Sequence, residues 1–110
     1  SEVSLAMDIA DKLEAEGVGA DVVSMPCTEL FDAQDAAYRE DILPNVQPDE
    51  ILRVSIEAGT TFGWERYTMA NGLNFGIDRF GASAPAPALF EKFGLTADAI
   101  TPQILSALQP

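Results

Sequence analysis

The segment FGIDRFGASAPAPALFEKFG, Phe75 to Gly94, limits the fold more tightly than any other stretch of this chain. Phe75 and Ile77 alternate with Gly76 and Asp78, the pattern of a strand with one packed face. Gly81 suits a tight loop, and Pro85 and Pro87 follow where a helix begins and no backbone donor is required. Leu89, Phe90 and Phe93 form an apolar stripe with Glu91 and Lys92 facing away. Gly94 stops that helix and Leu95 packs back on its end. A strand that feeds a helix through a short loop is the repeating piece of a parallel sheet.

The same piece recurs upstream. Ala20 to Met25 is apolar and β-branched, reads as a buried strand, and is closed by Pro26. Ile51 to Ala58 alternates most clearly, with Leu52, Val54 and Ile56 on one side and Arg53, Ser55 and Glu57 on the other. Between and around these runs the spacing is helical. Ser1 to Glu16 places Leu5, Ala6, Ile9, Ala10 and Leu13 on one face, with Ser1 as cap and Gly17 as stop. Asp32 starts a second helix, boxed with Asp35 and ended by Pro44, and Asn45 to Asp49 is a surface connection. Thr60 or Thr61 caps a helix carrying Trp64 and Tyr67, and Asn71-Gly72 is a turn. Thr96 caps a short turn through Ile100, after which Thr101-Pro102 restarts a last helix bearing Ile104, Leu105 and Leu108. Three strands separated by helices imply parallel pairing through crossovers, hence an α/β fold: a three-layer α/β/α sandwich with a mostly parallel sheet.

At 110 residues the chain is a single domain, and 47% hydrophobic with 22% charged residues is ordinary globular composition. Eighteen acidic residues against six basic ones give a formal charge of -12, which argues against nucleic acid as a partner. No apolar run approaches the roughly 20 residues of a membrane-spanning helix, and no export leader is expected. The single Cys27 cannot close an internal disulfide, which fits a reducing compartment, and a cytoplasmic location is expected. Histidine is absent, so the commonest general base and metal ligand is missing and chemistry would fall to carboxylates, hydroxyls or Cys27.

Each candidate for chemistry has a plainer structural reading. Gly81-Ala82-Ser83 before the Pro85 helix could greet an anion, yet proline removes donors and the spacing matches no phosphate-binding fingerprint, so a turn is preferred. Glu57 and Arg79 sit at strand C-termini, where open α/β sheets place ligands; an ion pair fastening two loops is the better reading. Cys27 lacks a cationic neighbour in sequence that would make it a thiolate. Asp32/Asp35 and Glu40/Asp41 lack the calcium-loop pattern. Phe62, Trp64 and Tyr67 form either an exposed aromatic surface or core beneath the sheet. No catalytic, cofactor-binding or metal-binding residue is assigned.

The segment above, taken with SEVSLAMDIADKL, VVSMPCTELFDAQDAAYREDILP and SIEAGTTFGWERY, closely resembles the C-terminal domain of transketolases over essentially the whole chain. TTFGWERY with RFGASAPAPALF sets it apart from the related domains of 2-oxo-acid dehydrogenase β subunits and deoxyxylulose-phosphate synthase. The resemblance implies a five-stranded, mostly parallel sheet of which the Ala20, Ile51 and Phe75 strands are the last three. It also implies that a strand preceding Ser1 lies between the first two of these, so the domain is expected to be N-terminally incomplete, with a gap of ~10 Å where that strand belongs. The implied parent enzyme transfers a two-carbon ketol unit between sugar phosphates with thiamine diphosphate and a divalent metal (Mg or Ca), as a homodimer. Its catalytic and cofactor residues lie on the preceding domains, so this chain's implied role is structural, with those domains as partners. The alternatives are a free-standing acidic α/β module that binds a protein without catalysis, and an enzyme active alone.

Overall fold

The computed structural model describes residues 2–44, 51–59, 61–77 and 90–109. The chain opens with α1, Glu2–Ala15. Its end carries the paired hydrogen bonds of a glycine-terminated helix, Gly17 N–H to Glu14 O at 2.9 Å and Val18 N–H to Leu13 O at 2.9 Å. Two short helices follow, α2 at Thr28–Asp32 and α3 at Ala36–Ile42. Then come β1, Val54–Ile56, α4, Glu65–Thr68, β2, Leu73–Phe75, and α5, Ala97–Leu108.

β1 and β2 pair in parallel, with Val54 opposite Leu73, Ser55 opposite Asn74 and Ile56 opposite Phe75. Flanking bonds from Leu73 N–H to Arg53 O (3.0 Å) and from Glu57 N–H to Phe75 O (3.0 Å) frame the ladder. Strand alternation sends Val54, Ile56, Leu73 and Phe75 to one face, where they pack on Ile9 and Leu13 of α1, on Leu95, and on Ile100 and Ile104 of α5. The opposite face presents Ser55 and Asn74 to Thr68 of α4. The layering is therefore helix, sheet, helix, as the strand and helix pattern requires. Arg53 ties the edges of this arrangement, donating to the carbonyls of Tyr67 at 3.0 Å and of Pro44.

Several expected boundaries move. Residues 19–25 are described, but none of them joins a ladder, so the expected Ala20–Met25 strand is not formed. A strand requires a neighbour to take its backbone groups, and among the described residues the sheet is β1 and β2 alone. The strand placed at Phe75–Ile77 lies instead at Leu73–Phe75. Beyond it Gly76 passes so close to Gly59 that a Cβ there would come within 2.7 Å of the Gly59 carbonyl, and Ile77 N–H donates to that same carbonyl at 2.7 Å.

Asp32 ends α2 rather than starting a helix, because the capping falls to Asp35, whose Oδ1 accepts from Tyr38 N–H at 2.8 Å. Trp64, not Thr61, is the N-cap of α4, since a turn from Thr61 O to Trp64 N–H (3.3 Å) intervenes. The last helix does not restart at Thr101: α5 runs unbroken from Ala97 to Leu108 with Pro102 inside it and Thr96 Oγ1 accepting from Ala99 N–H at 3.2 Å. Pro102 is exposed, while Ile100, Thr101 and Ile104 on the other side are buried and hold both halves to the core. Gly94 and Leu95 behave as read: Gly94 has φ +73°, Leu95 N–H reaches Phe90 O at 2.7 Å, and Leu95 is buried. The loop at Asn45–Asp49, Thr60, Asp78, Arg79, and the Gly81 loop with its Pro85 and Leu89 helix start lie outside the described residues.

Candidate functional site

A cleft of about 450 Å³ opens where β1 runs out, between the segment entering α2 and the turn entering α4. Glu57, the residue after β1, lines it together with Met25, Glu29, Phe62, Trp64 and Arg66. Ladder pairing fixes Glu57 through its backbone, and its carboxylate accepts from Gly59 N–H at 3.3 Å. Cys27 also lines the cleft, and its Sγ donates to the Glu29 carboxylate at 3.7 Å.

One wall is built by aromatic packing. Tyr67 stands 5.6 Å from Trp64 and edge-on to Phe31 at 6.1 Å, and Phe31 in turn lies 6.4 Å from Tyr38 of α3. The Tyr67 hydroxyl donates to the Asp32 carboxylate at 2.9 Å, Arg66 forms an ion pair with that carboxylate, and the guanidinium lies 5.0 Å over the Tyr67 ring. Partial burial, then the hydrogen bond to Asp32, raises the Tyr67 phenol above its ordinary value.

The aromatic trio therefore splits. Trp64 and Tyr67 are half-buried and hold α2, α3 and α4 together, whereas Phe62 is 90% exposed. Asp32 and Asp35 separate as well, the first as an anchor for Arg66 and Tyr67 and the second as a helix cap. Glu57 reaches the cleft; its expected companion Arg79 lies outside the described residues. Sequence reasoning missed Arg53, Asn74 and the Asp32–Arg66–Tyr67 cluster. A lone arginine on the same strand side as Ser55 was the available signal for the first, because alternation puts it against whatever covers that side. Among the described residues no group of three or more His, Cys, Asp or Glu side chains lies together as a metal would need.

The layering, with this cleft at the end of β1, defines an α/β domain. The family model for the transketolase-like C-terminal domain matches residues 1–96. This chain belongs to that family. Transketolase 1 of Escherichia coli is 53% identical over 98 residues, covering 89% of this chain and 14% of that enzyme. Transketolase 7 of Craterostigma plantagineum is 50% identical over 100 residues, 91% of this chain and 14% of the enzyme. A transketolase of Pichia stipitis crystallised with fructose 6-phosphate superposes with a TM-score of 0.83 at 37% identity, over 98% of this chain and 15% of that one. The chain thus spans about one-seventh of the length of these relatives.

Proposed function

We propose that this chain serves as the C-terminal, structural part of a transketolase, an enzyme that moves a two-carbon ketol unit between sugar phosphates. The observation that carries this reading is the match through residues 1–96, which includes both strands and the whole cleft. Thiamine diphosphate and a divalent metal belong to the proposed parent, and the donors described here do not fit either group. The sequence holds no histidine, and its 18 acidic residues far outnumber the six basic ones that could take a diphosphate. No described cluster offers three metal ligands. Binding and chemistry are accordingly assigned to preceding domains and to a homodimer, with this chain packing against them in a reducing, cytoplasmic setting.

The same reading has the domain completed from outside residues 1–110, by a strand between the 19–25 segment and β1. The support is that residues 19–25 join no ladder and that β1 pairs with β2 alone among the described residues. No helix of the described residues is long and apolar enough to cross a membrane.

A chimera tests the proposal. Residues 1–96 of this chain replace the matching part of the Escherichia coli enzyme, and ketol transfer from xylulose 5-phosphate and thiamine diphosphate binding are measured. Retained turnover with unchanged cofactor affinity is expected. A folded, dimeric chimera that no longer binds thiamine diphosphate would show that this part carries cofactor contacts, and the structural assignment would fall.

A further inference from the structure

We propose that the cleft after β1 is a docking surface for a basic protein surface, one presenting arginine or lysine side chains from the neighbouring part of the same enzyme. The inference rests on the structural reading above and names the partner chemistry of its cleft.

Charge is the first argument. Glu29 and Glu57 both line the cleft, and among the described residues their polar contacts are Cys27 Sγ and Gly59 N–H, with no cationic side chain pairing either. The cation that does line it, Arg66, is already committed to Asp32 and to the Tyr67 ring. Two carboxylates beside the half-buried indole of Trp64 make a site that an arginine or lysine head satisfies twice, by charged hydrogen bonds and over the aromatic face. A surface of like sign is repelled, and the chain as a whole carries -12.

Shape chooses a macromolecular occupant over a free small cation. Phe62 stands at the mouth of the cleft with 90% of its surface in water, and a molecule small enough to sit inside would leave it there. Only a broad surface laid across the opening removes that ring from solvent.

The test is carboxyl footprinting of the assembled full-length enzyme with a water-soluble carbodiimide and glycine ethyl ester, using exposed Glu14 as the internal reference. Glu29 and Glu57 are expected to label about tenfold more slowly than Glu14 in the native assembly, with the difference erased in urea. The double variant E29Q/E57Q is expected to flatten the salt dependence of the enzyme's thermal midpoint. Labelling equal to Glu14 overturns the proposal, as does protection that appears only when agmatine is added, or protection with an unchanged salt dependence. Turnover of the same preparation is read separately. Protected carboxylates on an inactive assembly sink the transketolase reading and keep the docking surface, whereas open carboxylates on an active one do the reverse.

Discussion

Asn74 accepts two hydrogen bonds through one amide oxygen, from Ser55 Oγ at 2.7 Å and from Thr68 Oγ1 at 2.9 Å. Ser55 is 8% and Thr68 3% exposed, so neither hydroxyl has water as a substitute partner. Asn74→Ala strands the Ser55 hydroxyl and leaves Thr68 Oγ1 only its 3.2 Å bond to the Trp64 carbonyl, and the cost is about 1 to 2 kcal/mol, read as a lower midpoint in denaturant titration. Adding Ser55→Ala and Thr68→Val to that variant should recover part of the loss. Alternation correctly tells which residues of Ile51–Ala58 share a side, but it equates polar with solvated. The side bearing Ser55 is covered by α4, and nothing within the strand announces that cover. Tyr67 carries a pH signature. Its folded-state value is raised, chiefly by burial and then by Asp32, so the unfolded chain gives up the phenolic proton first as pH climbs. Its contribution to stability is therefore full below the ordinary tyrosine value of about 10 and is lost as pH rises through the folded value. Unfolding curves of Tyr67→Phe against the parent across that window should show the alkaline slope reduced in the variant.

Pro102 interrupts α5 without ending it. Proline at that position cannot donate to the Asp98 carbonyl, and a sequence rule that breaks helices at proline places the boundary there. Burial of Ile100 and Thr101 before it and Ile104 after it outweighs the lost bond, because these three side chains share the face pressed on the core. Pro102→Ala should restore the missing hydrogen bond and raise stability by up to about 3 kcal/mol in a thermal or urea melt. A neutral or destabilising result would mean that the helix is bent to suit the proline. Helix ends read well wherever a single residue type decides them, as at Gly17, Gly94 and Thr96. They read poorly at α2 and α3, where two aspartates three residues apart both look like caps. Only Asp35 has the following N–H groups free to donate to it; Asp32 is spent on Arg66 and Tyr67, partners more than thirty residues away that spacing within the segment cannot reveal.

At the scale of the molecule, the fold class was legible because strand and helix periods alternate, and the family was legible in the runs around FGIDRFGASAPAPALF. Strand count was not legible, since a run such as Ala20–Met25 has the composition of a strand whether or not a neighbour is present to pair with it. The core that residues 1–110 assemble shows the consequence. Its buried apolar side chains among the described residues are Ile9, Leu13, Leu95, Ile100 and Ile104, from α1, from α5 and from Leu95 just before α5. Val54, Ile56, Leu73 and Phe75 reach that cluster from the sheet but stay half-buried. Val3, Met7, Val23 and Ile51 remain between 44% and 51% exposed. A domain of this length with its apolar surface covered would unfold with an enthalpy of about 75 kcal/mol near 60 °C. With the sheet side only partly enclosed, the 110-residue chain alone should melt with much less heat, over a broad range, and should bind an apolar dye while keeping its helical circular dichroism. Calorimetry and dye fluorescence on the isolated chain decide the matter. A sharp transition carrying the full enthalpy with no dye binding would show that these residues make a self-sufficient module, and the proposed completion of the sheet by another segment would be unnecessary.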